Sequence, residues 1–119
     1  EKLKKKYLKE GDNVCHVSNM KIVMSIDRIV YESREILVSK STPNAILKQD
    51  GYYYIRKSFL QGIICKYIDS SFGKPEIIRE QFHSNSLIPH EIVLKGDKYI
   101  NDFLYMLSKG HNTFFKKEK

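Results

Sequence analysis

The sequence predicts a mainly β domain, a small barrel or a strongly bent antiparallel sheet, followed by one C-terminal α-helix. Three observations carry this expectation. Runs rich in Val, Ile and Tyr recur along residues 13–94, separated by clusters of Gly, Pro, Asn, Asp and Ser. Asp50-Gly51 is a strong hairpin-turn signal. Only residues 98–109 repeat their apolar side chains at helical spacing. The chain has 119 residues, the size of one domain, and its 41% hydrophobic and 29% charged residues give a globular balance.

Each element has a local reason. Residues 1–9 contain helix formers, with Leu3, Tyr7 and Leu8 at partly helical spacing, so they read as a short helix or a tail that Gly11-Asp12 stops. Val14, Cys15 and Val17 favour a strand over 13–18. Residues 21–31 follow as a longer strand with Ile22, Met24 and Ile26 on one face. Their alternation changes phase at Asp27-Arg28, which points to a bulge. Residues 35–40 form the next strand candidate, and Pro43 makes 41–44 a loop. Residues 45–49 suit one helical turn or a short strand before the Asp50-Gly51 turn.

Residues 52–57 are an aromatic strand and 62–69 a strongly β-branched one. Residues 70–75 read as a hairpin loop, 76–82 as a returning strand and 83–87 as a short 3₁₀ turn. A last strand is expected from Pro89 to Leu94. Asp97 suits a helix N-cap, and Tyr99, Ile100, Phe103, Leu104 and Leu107 give the following helix an apolar stripe up to Gly110. Such a stripe normally faces its own core.

Charge is distributed unevenly. The formal net charge is +7. Residues 1–10 and 108–119 each contribute +3, and the body contributes +1. The ends therefore read as basic, either solubilising tails or non-specific phosphate contacts through Lys4, Lys5, Lys6, Lys116 and Lys117. Apolar runs are too short for a membrane span, and no apolar h-region follows the first lysines, so neither a membrane nor a signal peptide is expected. Cys15 and Cys65 lack close Cys or His spacing, so no metal or other cofactor is expected; they read as buried thiols of a reducing, cytoplasmic compartment, and a disulfide between them requires a fold that brings their Cα atoms within about 7 Å.

Several segments resemble a known family. Gly11-Asp12-x-Val14 with Met20-Lys21-x-Val23-x-x-Ile26, then Ile63-x-Cys65-x-Tyr67-Ile68-Asp69, then Glu80-x-Phe82 and Leu87, are similar to the YodC-like family of small uncharacterised bacterial proteins. The likeness covers residues 11–31 and 62–87. The order of Met and Lys is swapped relative to that family, and its Ser-Gly-Gly-Pro turn is missing. The resemblance implies an SH3-like barrel over 11–94, with 32–61 inserted as an extra hairpin. An amphipathic helix over 95–110 packed on the barrel, and a basic tail over 111–119, would be further additions. It brings no catalytic residues.

The candidate site is the aromatic strand. In an extended chain Tyr52, Tyr54 and Arg56 share one face, opposite Tyr53 and Ile55. A row of flat rings beside a cation can stack bases or line a groove for an extended peptide. The plainer role is capping a core with hydroxyls in water. The expected function is a non-enzymatic binding module that contacts nucleic acid, or a nucleic-acid-associated partner, through this outer face. An alternative is a protein-interaction or sequestering accessory protein. A third reading is a small basic ribonuclease toxin using Tyr54, Arg56, Arg79 and His83 on the scissile phosphate. GxSxG, HExxH, P-loop and GxGxxG motifs are absent.

Overall fold

A computed structural model describes residues 7–119. The first six positions, and with them Lys4, Lys5 and Lys6, lie outside the described residues. Strands β1 (Asn13–His16), β2 (Asn19–Val38), β3 (Ile46–Leu47), β4 (Tyr53–Asp69), β5 (Glu76–Phe82) and β6 (Leu87–Pro89) form one antiparallel sheet. A 3₁₀ turn at Ser84–Ser86 precedes β6. Helices α1 (His90–Lys95) and α2 (Asp97–Ser108) follow. The strand order is β3-β4-β2-β1-β6, with β5 also on β4. This path does not close, so the fold is a bent open sheet with a C-terminal helical region.

The two segments expected as separate strands on each side of the Asp50-Gly51 turn are continuous. β2 runs 20 residues and β4 runs 17, paired from Ser25↔Lys66 to Val38↔Tyr53. The expected phase change is a bulge: the register shifts between Ile26 and Arg28. Asp27 is left over there, and its carboxylate lies between Lys66 (3.6 Å) and Arg79 (3.5 Å). Beyond a second register shift at Val30/Tyr31, the pair leaves the body as a ribbon. None of residues 27–61 is buried. The radius of gyration is 18.5 Å, where a compact domain of this length has about 13.5 Å.

Two apolar clusters sit on opposite faces of β1 and β6. Val14, Met24, Ile26, Ile63, Cys65, Leu87 and Phe115 form one inside the curve of the sheet. Cys15, Ile88 and Phe103 form the other, with Ile92, Ile100, Leu107 and Phe114 packed around it. Alternation along β1 and β6 produces this division, since Val14 and Cys15, or Leu87 and Ile88, point to opposite faces. The α2 stripe faces its own core, as expected, through Phe103. Both thiols are free and buried, one in each cluster.

Three local readings differ from the structure. The strand expected over Pro89 to Leu94 ends at Pro89, and helix α1 begins there; Ile92 and Val93 suit either periodicity, and docking on Cys15 and Ile88 decides it. Gly96, not Asp97, stands at the α2 N-cap, without a side-chain cap. The last residues do not trail away. Phe115 is buried, Leu60 N–H donates to the Lys117 carbonyl (2.8 Å), and Lys119 N–H donates to the Ser58 carbonyl (2.9 Å). The C-terminal segment therefore adds to the β4 edge between β3 and β5.

Candidate functional site

The ribbon carries the aromatic strand. Beyond Val38 the chain turns through residues 39–45, forms β3 against β4, and turns again. At that second turn Gly51 has φ +87°, which favours glycine, and Asp50 Oδ1 accepts from Tyr52 N–H (2.9 Å). Tyr54 lies opposite Leu37 and Ile46, and Arg56 lies opposite Glu35. These residues share one ribbon face. Tyr53, Ile55, Ile36, Val38 and Leu47 share the other.

The row is tied into its own network. The Tyr54 hydroxyl donates to Asp50 Oδ2 (2.6 Å), which raises the Tyr54 pKa above its ordinary value and lowers that of Asp50. The Lys48 ammonium lies 5.2 Å from the Tyr54 ring centre and also pairs with Glu35. Arg56 donates to Ser33 Oγ (3.2 Å) and lies 3.4 Å from the Glu35 carboxylate. Hydrogen bonding to Lys48, then the charges of Lys48 and Arg56, hold the Glu35 carboxyl below its usual range. Tyr52, in contrast, stands in the turn with an exposed ring. Tyr54 and Arg56 are thus satisfied within the ribbon, and their faces toward water carry little uncompensated charge.

Apolar side chains are what the tip presents. Leu37 (58% exposed), Ile46 (66%), Leu47 (58%) and Tyr52 (59%) project there from both faces. Cations gather instead at the ribbon base. Arg34 lies over Phe59 at 5.8 Å, Lys57 pairs with Glu118 (3.6 Å), and Lys119 lies over Tyr31 at 5.9 Å. Lys116 lies over Tyr7 at 5.3 Å, and its carbonyl accepts from the Tyr31 hydroxyl (3.3 Å). Lys116 and Lys117 therefore lie on the docked C-terminal segment, at the opposite end of the ribbon from Tyr52.

The four residues considered for phosphodiester cleavage do not converge. Arg56 is on the ribbon, Arg79 is bonded to Asp27, and His83 Nδ1 accepts from Asn85 N–H (3.1 Å) at the start of the 3₁₀ turn. His83 shares a shallow depression with His111 and Lys117, which sequence spacing did not connect. His111 Nε2 is held by the Phe115 carbonyl (2.9 Å). Among the described residues, no group of His, Cys, Asp and Glu is arranged to hold a metal ion, and no helix is long and apolar enough to cross a membrane. No protein family, curated protein or solved structure matches this chain.

Proposed function

We propose that the chain is a non-enzymatic binding module whose ribbon tip is received by a protein partner. One observation carries this reading: Leu37, Ile46, Leu47 and Tyr52 are gathered, largely exposed, on an element that projects from the body. Leu37 and Ile46 flank Tyr54 on one face and Leu47 stands on the other, and exposed apolar surface concentrated in this way marks interaction sites. The polar members of the row, Tyr54 and Arg56, set the shape of the ribbon through Asp50, Glu35 and Ser33.

Contact with nucleic acid is the second reading. Its support is the cluster of Arg34, Lys57, Lys116, Lys117 and Lys119 at the ribbon base, and the fit of a two-stranded ribbon to a major groove. Glu32 pairs with Arg34 and Glu118 with Lys57, which weakens the field. For the body, we infer an SH3-like unit related to the YodC-like proteins. Its support is that Val14, Ile26, Ile63 and Cys65, all in the segments that resemble that family, meet in one cluster, while 32–61 forms the ribbon.

A photo-crosslinking side chain placed at Ile46 tests the main reading against the same group at Lys74. Protein adducts from position 46 alone, abolished by Leu47→Ser, support it. A salt-dependent complex with DNA or RNA that survives Ile46→Ser and Leu47→Ser supports the second reading instead.

A further inference from the structure

The β2–β4 ladder stops before either strand does. Its last pair toward the body is Ser25↔Lys66, yet β2 continues back to Asn19 and β4 continues on to Asp69. Over this stretch β2 is paired on its other side with β1, and β4 with β5. Residues 21–24 and 67–69 therefore turn main-chain edges toward one another without ladder bonds between them.

The interval between those edges is a real opening. A cavity of about 600 Å³ lies on the outer face, lined by Val23, Ile68 and Ile77 together with Ile22, Met24 and Tyr67. A second cavity of about 280 Å³ lies on the inner face, and Ile22, Met24 and Tyr67 line it too. The same three residues reached from both faces mean that the sheet is parted there. Ile68 and Ile77 pair across β4 and β5 and stand well exposed, as does Val23.

Charge selects the occupant. Lys21, Lys66 and Arg79 rim the outer cavity, and Asp27 is the carboxylate paired there, shared by Lys66 and Arg79. The rim keeps a positive excess beside an apolar floor. We propose that this parted seam is a strand-addition site for an extended acidic peptide. The peptide backbone takes up the free strand edges. Its side chains on the outer face, β-branched and acidic in turn, meet Val23, Ile68 and Ile77 and the rim cations, and the apolar side chains between them point to Ile22, Met24 and Tyr67. The seam lies at the end of the β2–β4 pair opposite the ribbon tip, so it is independent of the ribbon's role.

Fluorescence polarisation on the full chain tests this with a labelled short peptide that repeats Val-Thr-Val-Glu, the Val/Glu peptide, which puts Val on one face and Thr and Glu on the other. The Val/Glu peptide is expected to bind. A Val/Lys counterpart, and a Val/Glu peptide N-methylated on alternate amides, are expected to bind at least about tenfold more weakly. Lys21→Glu with Lys66→Glu, both on exposed side chains, is expected to weaken the Val/Glu peptide by a similar factor with an unchanged circular dichroism spectrum. Absence of any polarisation change up to millimolar peptide overturns the proposal. Equal binding of the N-methylated peptide overturns strand addition, and equal binding of the Val/Lys peptide overturns the acidic preference.

Discussion

The side-chain amide of Asn112 donates to the backbone carbonyl of Leu87 across 3.1 Å, from a position with no exposure to solvent. The same amide donates to the Ser84 carbonyl (2.8 Å), and Asn112 Oδ1 accepts from Phe114 N–H (3.0 Å). Asn85 completes the clasp, accepting from Asn112 N–H (2.8 Å) and donating to the Gly110 carbonyl (3.0 Å). Together these bonds seat the segment that inserts Phe115 into the inner core.

Replacing Asn112 removes its donors from two buried carbonyls, of which Ser84 keeps the Leu87 N–H, and removes the acceptor of the part-buried Phe114 N–H. An unsatisfied buried group costs about 1–3 kcal/mol. Asn112→Ala is expected to lower the unfolding free energy by roughly 2–4 kcal/mol. Asn112→Asp, with the same shape but no donors, is expected to cost at least as much. Urea denaturation of both variants measures this; a loss below about 0.5 kcal/mol, the usual bound for surface changes, would show that the C-terminal segment is not held by the clasp.

That clasp was invisible in the sequence, where 111–119 reads as a basic tail. Its partners Ser84 and Leu87 are distant along the chain, and Phe115 sits beside two lysines. The body strands were legible because water on one side and core on the other impose a period of two, as at Met24 and Ile26. The bulge at Asp27 showed as a break in that period. The ribbon was not legible as two continuous strands, because both of its faces meet solvent. Glu32, Ser33 and Arg34 then carry no binary pattern, and only the ladder to Lys57, Ser58 and Phe59 makes them a strand. The shared face of Tyr54 and Arg56 was legible from alternation alone. Their partners Glu35 and Lys48 were not, since register across a hairpin brings them together.

Burial pushes the Cys65 thiol up to about 12 and raises Cys15 as well. Both thiols stay protonated through the physiological range, and the thiolate is the reactive form. Neither is expected to be alkylated by iodoacetamide at pH 8 until urea unfolds the chain. The unfolded thiol ionises near its ordinary value of 9.0 while folded Cys65 keeps its proton, so the unfolded state gains. Stability is therefore expected to fall as pH rises from about 9 toward 12. Cys65→Ala, compared with wild type over that range, is expected to flatten the slope.

Glu35 holds both Lys48 and Arg56, and all three side chains are at least one-third exposed. Exposed pairs of this kind contribute little to stability. Glu35→Gln is expected to leave the urea unfolding midpoint essentially unchanged. It releases two cations on the face that carries Tyr54. If the ribbon meets phosphate, affinity for single-stranded RNA at low salt is expected to rise several-fold, with a steeper dependence on salt concentration. Unchanged weak binding would leave the protein partner as the ribbon's target.

Val38 and Tyr53 face each other at the last β2–β4 pair, so the tip beyond them can be removed without disturbing the ladder. Joining Val38 to Tyr53 through an Asn-Gly turn deletes β3 and both connecting turns, and that dipeptide matches the twist of a two-stranded ribbon. None of the deleted side chains is buried, and the core clusters contain none of them. The shortened chain is expected to keep its unfolding free energy within about 1 kcal/mol, since solvent-exposed changes rarely exceed that. It also loses Ile46, Leu47 and Tyr52, and with them the crosslinks expected from the tip. A shortened chain that unfolds cooperatively as before yet no longer captures the partner would separate scaffold from contact. A large loss of stability would instead mean that the ribbon helps hold the body together.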